Sequence, residues 1–279
     1  RVNEMITNIP KESYGILQQN EPNSIFDEAV EQVRNIGYAI INSGYTITEL
    51  QNISEEFNST REDYVKAHGE VKLRSINELH TVRSPLTHGG DCFLELALNE
   101  NLLSVIKKLI LGKFILNQQN GVINPAQENY NQGAWHRDLP YQHFVSTKPL
   151  AINALFCVDD FTFDNGATFV IPASHKSENF PSSSYVKNNA VQLEAKAGSF
   201  ILLDCMLFHA GGFNATNLER RAVNHLYNIP YFKQQINIPM NMGNAKLSAE
   251  DKDILGFDYM EPLSVTEYIL ERKIKVGNI

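Results

Sequence analysis

Residues 133–144, GAWHRDLPYQHF, place an imidazole and a carboxylate two positions apart, at His136 and Asp138. In an extended chain, residues i and i+2 point to the same face, so the two side chains can approach one point. One nitrogen and one oxygen are ligands of the kind that a first-row transition metal accepts. Two ligands do not hold such an ion, and the pattern therefore requires a third ligand elsewhere in the chain.

His209 is the best candidate for the third ligand. It ends the apolar run FILLDCMLFH, and the two glycines that follow it let the backbone come close to a site. Two histidines and one carboxylate match the facial triad of non-haem Fe(II) oxygenases, which leaves coordination positions open. The HExxH spacing of zinc hydrolases does not occur. Taken alone, each signal is equally compatible with a structural histidine or a chance triplet, and only their combination favours a metal site.

Arg220 follows His209 by eleven positions (220 − 209 = 11) and begins the next predicted strand. A guanidinium there can bind a carboxylate through two parallel hydrogen bonds. Strand alternation directs the adjacent Arg221 to the opposite face, so only one of the two arginines can serve the site. We expect Arg221 to face solvent or a surface partner and to contribute little.

Composition excludes several classes of protein. The chain has 279 residues, 43% of them hydrophobic, and a net charge of −8, which argues against a surface for nucleic acid. No apolar run approaches the roughly 18 residues of a membrane span. Three isolated cysteines, Cys92, Cys157 and Cys205, give neither a disulfide framework nor a zinc motif. These features predict a cytoplasmic protein that does not bind membranes, and they carry no signal for an oligomeric state.

The elements that must position these residues change in character along the chain. Residues 1–112 are mainly helical by pattern, with Ser24 and Gly37 as the expected start and stop of a first helix. Short β-rich runs follow, including QGAWHRD, with turn residues between them. We therefore expect a mainly β fold with flanking helices, a double-stranded β-helix (jelly roll), in one domain. The jelly-roll core spans about 113–235 and a C-terminal extension spans 236–279. Two segments, 76–95 and 176–190, have the composition of mobile loops over a site.

Three segments resemble one protein family. WHRD resembles its His-x-Asp motif, NGATFVIPASH at 165–175 resembles its NG-x-x-x-V-I-P-G-S-H segment, and HAGGFNATNLERRA resembles its distal-histidine segment. The three occur in the same order within roughly residues 114–232. On these motifs the chain resembles the phytanoyl-CoA dioxygenase family of Fe(II)/2-oxoglutarate-dependent oxygenases. Ala173 stands where this family usually has glycine.

The resemblance implies a role for each matching residue. His136, Asp138 and His209 would bind Fe(II), and Arg220 would pair with the distal carboxylate of 2-oxoglutarate. Asn124 is the nearest match to a polar residue that the family often places near the co-substrate. Gly211 stands where the family often has Ser or Thr. His175 is expected to have a structural role. The implied reaction consumes O2 and 2-oxoglutarate, releases succinate and CO2, and hydroxylates a small-molecule substrate.

Two alternatives stay open at this point. One is a non-catalytic jelly-roll binding protein, and the other is a cupin-like metalloenzyme that does not use 2-oxoglutarate. Arg220 argues against the second, because such an enzyme has no need of an anion anchor at that spacing. The polar residues that we consider for substrate contact are Arg83, His88, Tyr141 and His143.

Overall fold

The computed structural model describes residues 10, 12–19, 21–138, 145–243 and 245–277. The strands in these residues are β1 (Tyr38–Asn42), β2 (Thr81–Arg83), β3 (Ile115–Asn124), β4 (Ala151–Cys157), β5 (Thr168–Val170), β6 (Val191–Leu193), β7 (Ser199–Asp204), β8 (His209–Ala210) and β9 (Arg220–Asn228). The helices are α1 (Ile25–Ile36), α2 (Ile47–His68), α3 (Glu70–Ser75), α4 (Cys92–Ala97), α5 (Glu100–Leu109), α6 (Ser183–Asn189), α7 (Ile238–Asn241), α8 (Ala249–Leu255) and α9 (Val265–Gly277). Within the described ranges, no helix has the length and apolar character needed to cross a membrane.

The N-terminal helices begin and end where the sequence predicts. The Ser24 hydroxyl accepts a hydrogen bond from the Asp27 amide at the start of α1, and Gly37, with φ of 91°, ends the helix in the left-handed conformation. Thr46 and Glu49 form a capping box at the start of α2. Each cap satisfies amides that a helix end would otherwise leave unpaired. The two helices therefore have fixed ends from which to pack against the sheet.

Two antiparallel sheets form the jelly roll, and their order confirms the predicted fold class. The larger sheet has the order β1-β7-β4-β9-β3-β2, and the smaller has the order β6-β5-β8. The main hydrophobic core lies between the helices and one face of the larger sheet, where Val223 and Tyr227 are fully buried. A second core between the sheets includes Val170, Ile201 and Ala222. The strand β9 thus has one face toward the helices and the other toward the space between the sheets.

Three predicted features differ in the structure. The segment 76–95 is not a featureless loop, because it contains β2 and most of α4, and β2 pairs with β3. The segment 176–190 contains α6, which Ser182 caps through the Tyr185 amide. The run QGAWHRD is not a strand; it consists of the end of a 3₁₀ turn at Asn131–Gly133 and a single bridge to β8. These elements are short, and β2 and the bridge of the run QGAWHRD also depend on partners that are distant in sequence.

Candidate metal and co-substrate site

Two main-chain hydrogen bonds bring the segments of His136 and His209 together. The amide of His136 donates to the carbonyl of His209 at 3.0 Å, and the amide of His209 donates to the carbonyl of His136 at 3.1 Å. Two residues further on, the amide of Asp138 donates to the carbonyl of Cys205 at 3.1 Å. The backbone therefore fixes the spacing of all three predicted ligands without help from their side chains.

Both imidazoles make the same second contact. Nδ1 of His136 lies 2.7 Å from the carbonyl oxygen of Ala134, and Nδ1 of His209 lies 2.9 Å from that of Leu207. A carbonyl only accepts, so each Nδ1 must carry the proton and each Nε2 of the neutral ring has a free lone pair. This is how metal-binding histidines are usually held, with the second nitrogen donating to a fixed acceptor.

The Asp138 carboxylate completes a compact ligand set. Its Oδ1 lies 3.9 Å from Nε2 of His136 and 3.5 Å from Nε2 of His209. One ligand atom from each of the three residues lies within 4.8 Å of the others. The amide of Asn153 donates to Oδ2 of Asp138 at 2.7 Å, which fixes the carboxylate and leaves Oδ1 toward the imidazoles. The arrangement fits a facial triad with open positions on the cavity side.

The site is arranged to hold a carboxylate in its charged form. Burial opposes the charge of Asp138, but His209, His136 and the Asn153 amide outweigh burial and hold its pKa at about 2. Burial also acts to lower the pKa of His209, and the neighbouring Asp138 outweighs it, so that this pKa is raised. The pKa of His136 is lowered, first by burial and then by His209. A bound divalent cation would favour the neutral form of both imidazoles, because a ligating nitrogen must be free of its proton.

Arg220 lies at the first position of β9 with its guanidinium buried. Only 3% of the residue is exposed, and Nε and Nη1 have no hydrogen-bond partner. Cζ lies 3.7 Å from the centre of the Phe161 ring, so an aromatic face supports the cation. Burying a cation with unpaired donors is costly unless an anion pairs with it. The unpaired guanidinium therefore fits the distal carboxylate of 2-oxoglutarate.

A cavity with about 50 Å³ of space for water-sized spheres connects the triad with Arg220. The side chains that line it from β9 are Arg220, Ala222 and Asn224, as strand alternation predicts. The remaining lining residues are Val122, Tyr130, Gln132, Asn153, Leu155, Thr168, Leu203 and Gly211, together with the three predicted ligands.

Arg221 points away from the cavity but does not face solvent, so that expectation is wrong. Its guanidinium donates to both carboxylate oxygens of Asp159, at 3.0 and 2.7 Å. It also donates to the Ser54 carbonyl and hydroxyl and to Oδ1 of Asn58. These contacts join α2 to the larger sheet, because Ser54 and Asn58 lie on that helix. Arg221 thus has a structural role on the face opposite to the cavity, where it connects α2 to the larger sheet.

Other candidates fall outside the cavity. Asn124 is fully buried, and its amide donates to the carbonyls of Gly212 and Gly166, at 2.9 and 3.3 Å. Arg83 is paired with Glu78 and does not line the cavity. His88 contacts the Arg83 carbonyl and stacks on a tyrosine, also away from it. Tyr141 and His143 lie outside the described residues.

Sequence reasoning missed Tyr130 and Asn153, which both line the cavity. Asn153 stands inside an apolar strand, where a lone amide is a signal for a buried hydrogen bond. Tyr130 lies in a polar stretch with no regular pattern, and only the fold brings it against Gly211.

Arg137, between two of the predicted ligands, holds a neighbouring segment. It is 2% exposed and donates to the carbonyls of Met206 and Ser174 at 2.6 and 2.9 Å, and to those of Ser177 and Glu178. Its Cζ lies 3.8 Å from the centre of the Phe208 ring. The start of the segment 176–190 is therefore fixed to the chain that carries His136 and Asp138.

Comparison with known proteins relates the chain to one family. A sequence model of the family described as phytanoyl-CoA dioxygenase (PhyH) matches residues 29–222. The chain is 29% identical over 256 residues to the uncharacterized protein Rv1501 of Mycobacterium tuberculosis, covering 89% of this chain and 93% of that one. It is also 29% identical over 181 residues to the dioxygenase af480 of Aspergillus fumigatus, covering 62% of this chain and 54% of that one.

Solved structures share the fold. EctD from S. alaskensis with bound Fe superposes with a TM-score of 0.62 at 19% identity, covering 73% of this chain and 76% of that one. EctD with 2-oxoglutarate and 5-hydroxyectoine superposes with a TM-score of 0.63 at 18% identity, covering 82% and 86%.

The fold and the sequence relationships define the chain as an iron- and 2-oxoglutarate-dependent dioxygenase. Within that class it belongs to the phytanoyl-CoA dioxygenase family. The predicted family, fold class and cofactors, Fe(II) and 2-oxoglutarate, are confirmed.

Proposed function

We propose that this enzyme hydroxylates a small organic molecule and releases succinate and CO2. His136, Asp138 and His209 would bind Fe(II), and Arg220 would bind the distal carboxylate of 2-oxoglutarate. The observation that carries the proposal is the pair of imidazoles whose Nδ1 atoms each contact a carbonyl, with both Nε2 atoms near one carboxylate oxygen. A structural cluster does not need two free lone pairs beside an ionised carboxylate.

The side chains of this protein have two roles in the proposed reaction: they hold the metal and the co-substrate, and they orient the metal ligands. Bound Fe(II), 2-oxoglutarate and O2 together supply the oxidant that replaces a substrate hydrogen by hydroxyl. His136, Asp138 and His209 would hold the metal and leave coordination positions for the small molecules. Asn153 keeps Oδ2 of Asp138 hydrogen-bonded, so that Oδ1 is the oxygen presented to the metal. Arg220 anchors the far end of the co-substrate in a buried position, where a charge pair is strongest.

The carboxylate of Asp138 favours hydroxylation as the outcome. Related halogenases have a small residue at this position, which frees a coordination site for chloride. Asp138 occupies that site, and its pKa of about 2 keeps it ionised at neutral pH.

The test measures succinate formed from 2-oxoglutarate in the presence of Fe(II) and O2, for the wild type and for His136→Ala, Asp138→Ala and His209→Ala. We expect each variant to lose Fe(II) binding and succinate formation while its circular dichroism stays that of the wild type, because main-chain bonds hold the segments. His68→Ala is the matched control, since His68 is exposed at the end of α2.

The result separates the competing functions. A non-catalytic binding protein forms no succinate with any metal. A cupin-like enzyme binds a metal through the same three residues but neither binds nor consumes 2-oxoglutarate. Full Fe(II)-dependent activity in all three alanine variants would contradict the ligand assignment.

A further inference from the structure

Tyr130 places a phenol hydroxyl beside the Arg220 guanidinium. Both side chains line the cavity that contains the triad, and they lie close enough for the phenol to act on the pKa of the arginine. An arginine has donors only, so a hydrogen bond between the two groups uses the tyrosine oxygen as the acceptor. The hydroxyl proton is then left to donate elsewhere. Among the described residues, no carbonyl or side-chain oxygen accepts a hydrogen bond from the Tyr130 hydroxyl.

Gly211 makes room for this hydroxyl. A Cβ atom at position 211 would overlap Oη of Tyr130 and would lie 2.8 Å from its Cζ. The backbone of Gly211 is not in the left-handed region, so its conformation does not itself require glycine. The absence of a side chain is therefore explained by the tyrosine that fills the space. Gly211 lies two residues after the predicted ligand His209, so the Tyr130 hydroxyl lies close to the part of the chain that carries this ligand.

Arg220 and Tyr130 together present unpaired donors to one region of the cavity. Nε and Nη1 of Arg220 are buried without partners, and the Tyr130 proton is free. A carboxylate has about four acceptor sites on two oxygens and can use three donors at once. Burial raises the pKa of Tyr130, so the phenol stays protonated and able to donate at neutral pH.

We propose that the Tyr130 hydroxyl is a second donor to the distal carboxylate of 2-oxoglutarate, beside Arg220, and that Gly211 is required because this hydroxyl occupies the adjacent space. The inference rests on the proposed use of Arg220 as the co-substrate anchor. Tyr130 is a positioning residue for the co-substrate, and it has no contact with the triad that would alter metal binding.

The experiment measures binding to the Mn(II)-loaded full chain by calorimetry, with two probes. 2-Oxoglutarate has a distal carboxylate, whereas oxalate can bind the metal but lacks that group. In Tyr130→Phe we expect the dissociation constant of 2-oxoglutarate to rise about tenfold, the lower end for a hydrogen bond to a charged group. The dissociation constants of oxalate and Mn(II) should stay within twofold of the wild type.

A reciprocal pair of variants tests the role of Gly211. Gly211→Ser should bind 2-oxoglutarate poorly, because the new side chain and Tyr130 compete for one space. Tyr130→Ala should also bind it poorly. The double variant Tyr130→Ala/Gly211→Ser should recover at least half of the lost affinity on a logarithmic scale, since the serine hydroxyl enters the vacated space. Oxalate binding reports in each case whether the metal site is intact.

The outcomes are distinct. An unchanged 2-oxoglutarate affinity in Tyr130→Phe, or an equal loss for oxalate, would overturn the role of Tyr130. A double variant no better than its parents would overturn the account of Gly211. A wild-type protein that binds oxalate but not 2-oxoglutarate would overturn the proposed function as well.

Discussion

The two faces of β9 use polar side chains in opposite ways. On the face toward the helices, Arg221 has several partners, His225 contacts Gln119 and the Ala154 carbonyl, and the Tyr227 hydroxyl donates to the Ala97 carbonyl at 2.6 Å. On the face toward the cavity, buried polar atoms lack partners at Arg220, Asn224 and Asn228. One strand thus carries satisfied groups on one side and unsatisfied groups on the other.

The same contrast extends across the larger sheet. Asn153 pairs in register with Leu226, and Asn124 with Arg220, so both share the cavity-side face, and each has an unpaired buried oxygen. Among the described residues, the other buried side-chain atoms without a partner belong to His80 and His175. Buried polar groups are normally paired, so unpaired ones concentrated on one face indicate where a ligand is missing. Stability and binding are assigned to opposite faces of this sheet.

The largest expected effect is on co-substrate binding, in Arg220→Ala. Removing the anchor leaves a carboxylate unpaired, which costs on the order of 2–5 kcal/mol and weakens 2-oxoglutarate binding roughly 30-fold or more. The free energy of unfolding of the ligand-free protein should fall little, because two donors of this guanidinium have no partner to lose. Calorimetry on the Mn(II)-loaded protein and urea unfolding measure the two quantities. Unimpaired 2-oxoglutarate binding would contradict the assignment of the cavity-side face to ligand binding.

Arg221→Ala should show the reverse pattern. The bidentate pair with Asp159 is partly buried, with 13% of the Arg221 side chain and 29% of the Asp159 side chain exposed. Its loss should lower the free energy of unfolding by about 2–3 kcal/mol, somewhat less than for a fully buried pair. The affinity of the folded protein for 2-oxoglutarate should stay within threefold. Arg221→Lys is the control and should recover part of the stability.

His225 predicts a pH effect on the helix-facing side alone. Burial lowers its pKa to about 4, from 6.5 in the unfolded chain. The stabilisation is therefore complete above pH 6.5 and is lost as the pH falls toward 4, because only the unfolded chain takes up the proton. The loss reaches about 2.5 kcal/mol near pH 4.5.

Burial raises the pKa of Asp204 to about 6, and this shift stabilises the folded state as the pH falls, in the wild type and in His225→Gln alike. The difference between the two proteins therefore isolates the contribution of His225. On going from pH 7 to pH 4.5, the unfolding free energy of His225→Gln should change by about 2.5 kcal/mol more in favour of the folded state than that of the wild type. An equal pH dependence would show that His225 is protonated in the folded state.

The smallest effect distinguishes two amides within the cavity. Asn153→Ala removes the hydrogen bond to Asp138 and should weaken Mn(II) binding about tenfold, as expected when a group that orients a metal ligand is lost. Asn224→Ala, in the same cavity, should leave metal affinity unchanged, since none of its described hydrogen bonds reaches a ligand. Equal losses in both variants would mean that the cavity as a whole, and not Asn153, orients the carboxylate.

The sequence predicted the parts of the molecule that local rules determine. The caps at Ser24 and Gly37 and the alternation that separates Arg220 from Arg221 depend on neighbouring residues. The meeting of His136 with His209 was inferred from metal-ligand chemistry and from a family resemblance, because strand pairing over such a separation has no local signature.

The remaining features depend on contacts between distant segments. Arg221 was expected at the surface because the packing of α2 on the sheet is not visible in its own strand. Tyr130 was missed because its partners, Arg220 and Gly211, lie far along the chain and its own stretch has no period. Asn124 matched a family position, yet its amide is used by two carbonyls. Polar residues in a cavity are decided by tertiary geometry, which a periodic pattern does not encode.

The paired main-chain bonds between His136 and His209 have a thermodynamic consequence for ion selectivity. Closing a flexible loop of 73 residues (209 − 136 = 73) costs about 4 kcal/mol in chain entropy by the logarithmic law for loop closure. The chain loses this entropy when it folds, before any ion binds. The ion therefore does not have to gather its ligands, in contrast to small zinc domains that fold around their metal. Differences in affinity between Fe(II), Mn(II) and other ions then reflect coordination chemistry alone, because no folding free energy contributes to them.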